Sequence, residues 1–181
     1  MAVKSYMRVE NVVKKFGPFT ALDGVDLDIA PGEVHALLGD NGAGKSTLIK
    51  IMSGVHQPTS GSIYVDDKKV FFRNPRDAAA AGIGTVYQDL AINQLMSVTR
   101  NFFMGRELTS TFGLLRMDEM DKIAHEEMKK IGIDFSDPSQ AVGTMSGGQR
   151  QTLAIARAIY FGAKVLISDE PPSALGQKQQ L

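Results

Sequence analysis

Gly39-Asp40-Asn41-Gly42-Ala43-Gly44-Lys45-Ser46 is the stretch from which the rest of the chain is read. It meets the pattern G-x-x-x-x-G-K-[ST] at every specified position and lies between an apolar strand-like run, Val34 to Leu38, and a helical pattern, Thr47 to Met52. Glycines let the backbone fold around an anion so that successive N–H groups point inward, and a helix starting after Gly44 adds its positive dipole end. Lys45 supplies a point charge for β and γ phosphates, and the Ser46 hydroxyl suits Mg²⁺, which prefers hard oxygen ligands. The bland alternative, a glycine-rich turn with a chance lysine, does not account for a strand before and a helix after.

Outward from this loop the pattern is α/β. Met7 to Val13 and Val25 to Ile29 alternate apolar and polar residues, as on an antiparallel edge with one wet face. Val34 to Leu38 is almost continuously apolar, which predicts a strand buried on both faces of a mainly parallel sheet. Further strands are expected at Ser62 to Val65, Val70 to Phe72 and Ile83 to Tyr87, and a helix capped by Asn74-Pro75 and stopped at Gly82. From Asp89 to Tyr160 the chain turns helical, with Met117, Met120, Ile123, Ala124, Met128 and Ile131 on one face; that face is core rather than a methionine ligand site. A last helix starts near Ser146-Gly147-Gly148 and feeds the short apolar strand Val165-Leu166-Ile167.

Asp169-Glu170 follows that strand at its C-terminal end, where ligands of open α/β sheets bind. Asp169 can hold Mg²⁺ through water while Glu170 polarises the attacking water as general base; alone, the pair would read as an exposed acidic turn. Ser146-Gly147-Gly148-Gln149 resembles a second phosphate grip, with a capping serine and exposed glycine N–H groups. One nucleotide needs one cradle, so a spare grip suggests the nucleotide of a neighbouring subunit. The plain alternative is a helix cap, which Gln149-Arg150-Gln151 and Arg157 on the same helix argue against.

Composition bounds these readings. The 181 residues are 43% hydrophobic and 22% charged, enough for one globular unit. Lys plus Arg and Asp plus Glu are 20 each, which offers no duplex-DNA surface and no polybasic anchor, so no nucleic acid is expected as partner. Cysteine is absent, which excludes disulfides and thiolate metal sites. No export signal and no membrane-long apolar run is visible, so a membrane role is expected to be peripheral.

Together these residues resemble the ATP-binding-cassette family, specifically the ATPase subunits of bacterial carbohydrate importers of the ribose, xylose and fructose type. Gly39 to Thr47 looks like the Walker A loop, Gln88 the Q-loop glutamine, Met145 to Gln149 the signature, Val165 to Glu170 Walker B, and Ser173-Ala174-Leu175-Gly176 the D-loop. Phe16 matches the aromatic that stacks on adenine, with a core phenylalanine as the alternative. The resemblance implies a P-loop NTPase fold with an antiparallel β edge and a helical signature subdomain. It implies one nucleotide-binding domain: residues 1–88 and 162–181 as α/β core, residues 89–161 as helical subdomain. It further implies Mg²⁺ held by Ser46, Gln88 and Asp169, catalysis by Glu170 with Gln88, and ATP on Phe16, Gly39 to Thr47 and Ser146 to Gln149. Two cassettes would meet head to tail on the cytoplasmic face of the membrane, beside permease subunits and, indirectly, a periplasmic sugar-binding protein. The coupling helix of the permease is expected on Asp89 to Met104, with Phe102 and Phe103, although these phenylalanines also read as helical core.

Departures from the pattern accompany the resemblance. The family's domain continues past the D-loop and includes a switch histidine, and His35, His56 and His125 all precede Walker B. Ser168 stands where Walker B is usually apolar, and burying its hydroxyl unpaired would cost about 1–3 kcal/mol. Pro172 replaces a usual threonine and stiffens the loop before Ser173. The chain therefore reads as a truncated subunit that binds nucleotide and hydrolyses it poorly. The rival readings are a non-transport ATPase of the same superfamily and a regulatory module or nonfunctional remnant.

Overall fold

The computed structural model describes residues 5–86, 92–133, 135 and 137–168. The chain divides into two compact units, Met1–Gly84 and Thr85–Leu181.

In the first unit, β1 (Met7–Phe16) and β2 (Phe19–Ile29) form a hairpin whose turn places Gly17 at φ 57°, the left-handed region where glycine is unstrained. With β3 (Ser60–Val65) and β4 (Lys68–Val70) they make a four-stranded antiparallel sheet in the order β2-β1-β3-β4. The expected alternation holds from Met7 to Val9 and slips by one residue at an irregularity around Asn11, after which Val12 is buried; Ile63 and Val65 are buried on the neighbouring strand. Helix α1 (Lys45–Met52) buries Leu48, Ile49, Ile51 and Met52, one continuous apolar side.

Helix α2 (Pro75–Ala80) starts as expected, with proline in its first turn and the Asn74 side chain accepting the Arg76 N–H at 2.9 Å and the Asp77 N–H at 3.3 Å. Asn74→Ala is expected to lower thermal unfolding stability by about 1 kcal/mol, the usual cost of losing such a cap. An unchanged melting curve would show that the cap contributes nothing here.

One expectation fails. Residues 33–38 form no strand, and Val34 and Leu38 are 98% and 88% exposed. An apolar run becomes a buried strand only with ladder partners on its flanks, and none is recorded for it among the described residues. The segment instead has local bonding: the Glu33 carboxylate accepts the Ala30 N–H at 2.9 Å and meets His35 Nε2 at 2.8 Å. These partners, His35 first, hold the Glu33 carboxyl below the usual carboxylate range.

β5 (Ile83–Val86) pairs with β6 (Val165–Ser168) in a two-stranded sheet. β6 alternates buried and exposed residues, and Ser168 is on the exposed side, so the expected penalty for a buried hydroxyl does not arise. The second unit is built on α3 (Val98–Phe102), α4 (Met117–Lys130) and α5 (Gly147–Tyr160). Met120, Ala124 and Met128 are buried as the periodicity of α4 requires, with Met117 and Ile123 half-buried against the same core; Ile131, just past the helix, reaches the surface. Phe102 and Phe103, expected on a docking surface or in the core, are wholly core: both have 0% exposure and pack against Tyr160 and Phe161. Leu95, earlier in the same segment, is 91% exposed.

Candidate functional site

Within the first unit the glycine loop is seated against β2. Gly44 precedes α1 in the left-handed region at φ 88°, and a Cβ there would stand 2.6 Å from the Ala21 carbonyl oxygen and 2.7 Å from Leu22 Cδ2. No other residue fits without displacing backbone. Gly39 and Gly42 also take positive φ, 149° and 91°, and the loop closes through the Ala43 N–H donating to the Asp40 carbonyl at 3.1 Å.

Lys45 is the first residue of α1 and curls back over the loop, its ammonium donating to the Gly39 carbonyl at 2.6 Å and the Asp40 carbonyl at 2.9 Å. The charge is thus held over the turn that leads into α1, beside the first-turn N–H groups that have no i−4 carbonyl partner. Ser46 and Thr47 follow in the first turn of α1, Ser46 exposed and Thr47 half-buried. The helix has no acidic residue in that turn to compete for the cation or repel an anion.

Phe16 ends β1, 44% exposed, and pairs across the hairpin with Phe19. Leu22, which touches the site of Gly44, pairs with Lys14, so Phe16 lies two residues farther along, about 7 Å at the usual strand rise. His56 meets the Phe16 ring edge-on at 5.5 Å between centroids, and the Lys14 ammonium stands 5.0 Å from the ring centre. Sequence reasoning named Phe16 but neither neighbour. Lys14 was legible as the i−2 residue on the same strand face; His56 arrives from beyond α1, which no local pattern shows.

In the second unit Ser146 caps α5 through a capping box: its hydroxyl accepts the Gln149 N–H at 3.3 Å and the Gln149 side chain accepts the Ser146 N–H at 2.8 Å. Gly147 and Gly148 are exposed, and a Cβ at either would meet open space. The side chains expected to argue against a plain cap have partners within the unit or are buried. Arg150 donates to the Met145 carbonyl at 3.1 Å, Arg157 donates to the Met104 carbonyl at 3.2 Å, and Gln151 is buried. Burial, with Arg106 nearby, lowers the Arg157 pKa.

Gln88, Asp169, Glu170 and Ser173 to Gly176 lie outside the described residues. The three histidines are spread apart in role: His35 on Glu33, His56 on Phe16, His125 on Phe135. No cluster of three His, Cys, Asp or Glu side chains suited to a metal occurs among the described residues, so Ser46 is the one described residue of the expected Mg²⁺ set.

Residues 22–173 match the ABC transporter domain, a span that holds both the glycine loop and the capped serine. The chain belongs to the ABC transporter family. It is 44% identical over 186 residues to the fructose import ATP-binding protein of Rhizobium meliloti, covering 99% of this chain and 72% of that protein. It is 46% identical over 169 residues to the xylose/arabinose import ATP-binding protein of Sulfolobus acidocaldarius, covering 93% of this chain and 67% of the relative. Identity to the ribose import ATP-binding protein of Bacillus subtilis is 39% over 173 residues, and there the chain spans only 35% of the relative.

Among solved structures, an ATP-binding cassette of an ABC transporter in its ADP conformation matches with TM-score 0.74 at 28% identity, covering 93% of this chain and 70% of that one. A dimeric post-hydrolysis cassette bound to ADP and phosphate matches with TM-score 0.72 at 28% identity, covering 95% and 77%. The chain thus has the P-loop NTPase fold of the ABC cassettes, with β1 to β4 as its antiparallel sheet.

Proposed function

We propose that the chain is the ATP-binding and ATP-hydrolysing subunit that energises a membrane sugar importer. The observation that carries this is the seat of the glycine loop on β2, with Lys45 over it, in a chain 44% identical to a fructose import ATP-binding protein. Residues 1–88 and 162–181 are read as the α/β core and 89–161 as the helical subdomain of one nucleotide-binding domain.

Gly39 to Thr47 would wrap the phosphates, Lys45 exchanging its two carbonyl partners for β- and γ-phosphate oxygens, while Phe16 receives the adenine face. Mg²⁺, held by Ser46 with Gln88 and Asp169, would supply charge neutralisation at the β and γ oxygens. Glu170, with Gln88, would orient and deprotonate the attacking water. Ser146 to Gln149 would grip the nucleotide of a second cassette placed head to tail, so that each ATP is closed between two chains. No helix among the described residues is long enough and apolar enough to cross a membrane, so permease subunits would supply the channel, with a periplasmic sugar-binding protein delivering cargo and this chain on the cytoplasmic face.

Reconstitution with the permease and its sugar-binding protein tests the reading. Phosphate release from Mg·ATP is expected to rise several-fold when the binding protein carries fructose, xylose or ribose. Release indifferent to all three sugars would remove sugar import and favour the non-transport reading of the same ATPase.

A further inference from the structure

In the second unit a set of hydrogen bonds surrounds Asn101, a 1% exposed side chain on α3. Its amide nitrogen reaches the carbonyls of Asn93 at 2.9 Å, Met96 at 3.2 Å and Ser97 at 2.9 Å, while its oxygen accepts the Asn93 N–H at 2.8 Å. A buried amide satisfied on both ends by one loop fixes that loop's path, because releasing any partner strands a desolvated polar group.

The loop so held is itself zipped to the chain that leads into Ser146. Ser97 and Ala141 form an antiparallel bridge. The Val98 N–H donates to the Gln140 carbonyl at 3.1 Å, and the N–H groups of Val142 and Gly143 donate to the carbonyls of Met96 at 3.0 Å and Gln94 at 2.8 Å. A single 3-10 turn, Val142–Thr144, then closes onto Met145, and Ser146 caps α5 directly after it. The path from Asn101 to the capped serine is therefore continuous hydrogen-bonded backbone with no free joint between.

We propose that Asn101 is a positioning residue for the Ser146-Gly147-Gly148 grip: by holding the 93–97 loop it sets, through the ladder to 140–143, where the grip stands. The proposal rests on reading that grip as the contact with a neighbouring cassette's nucleotide. Displacement of the 93–97 loop by a partner would move the grip with it, and loss of Asn101 would release that loop from α3.

Self-association of the chain with a non-hydrolysable Mg·ATP analogue, followed by sedimentation, tests this beside calorimetric binding of the same analogue. Asn101→Ala is expected to weaken association at least tenfold while the analogue's Kd stays within twofold. Asn101→Asp, nearly isosteric but without the NH₂ donors, is expected to do no better, since its second oxygen would face the carbonyls of Asn93, Met96 and Ser97; a space-filling role would be preserved by it. Gly143→Ala enters from the other strand and leaves Asn101 intact: its Cβ would stand 3.0 Å from the Gln94 carbonyl oxygen, pressing on the ladder, and roughly threefold weaker association is expected.

If Ser146→Ala weakens association while Asn101→Ala, Asn101→Asp and Gly143→Ala all match the wild type, the proposal is overturned and the grip reading stands. If the wild-type chain does not associate, or Ser146→Ala associates as well as the wild type, the grip reading fails and the proposal with it.

Discussion

Lys45→Ala is expected to weaken Mg·ATP binding at least 100-fold in a calorimetric titration, with the unfolding transition little changed. The lysine gives two charge-assisted hydrogen bonds to loop carbonyls in this structure, to Gly39 and Asp40, and has the same donors to give to phosphate oxygens. Hydrogen bonds to charged groups are worth about 1.5–3 kcal/mol each, so losing a pair costs about 3 kcal/mol or more, which is about two decades in Kd. The fold has less to lose. Lys45 sits at the start of α1, its apolar neighbours Leu48 and Ile49 hold the helix, and the Gly44 conformation is set by β2. Binding of equal strength in wild type and variant would mean that the loop is a turn and not a phosphate site.

Legibility in the sequence followed the range of the interactions. The glycine loop was readable because its chemistry is local: glycines, lysine and hydroxyl at fixed spacing, with a helix directly behind. The same holds for the Asn74 cap and for Ser146 with Gln149 three residues on, both of which appear as written. Val34 to Leu38 was misread because a continuous apolar run states only that burial is available, and a strand also requires partners that lie elsewhere in the chain. The arginines of α5 hid their partners for a related reason. Their charge suggested an anion, yet Arg150 and Arg157 donate to backbone carbonyls of Met145 and Met104, the second of them 53 residues away in sequence. Asn101 gave no signal at all, since a single asparagine in a helical pattern carries no spacing to read; only the fold shows the loop it holds.

The choice between docking surface and core for Phe102 has a large consequence for stability. Its ring is fully enclosed, 5.1 Å from Phe103, 5.4 Å from Tyr160 and 6.3 Å from Phe161 between centroids. Phe102→Ala should therefore destabilise the protein by about 3–5 kcal/mol, the range for large-to-small changes at enclosed aromatic sites. For a chain of this length each kcal/mol moves the midpoint by about 2–4 °C, so thermal unfolding is expected about 10 °C lower. An exposed docking residue would behave otherwise, since surface substitutions change stability by about 0.5 kcal/mol or less and act on partner binding instead. Leu95 makes that contrast available in the same segment, because it is exposed although it lies within the 93–97 loop that Asn101 holds. Leu95→Ala should leave the midpoint within about 2 °C. A large shift for Leu95 and none for Phe102 would reverse the assignment of core and surface in this part of the chain.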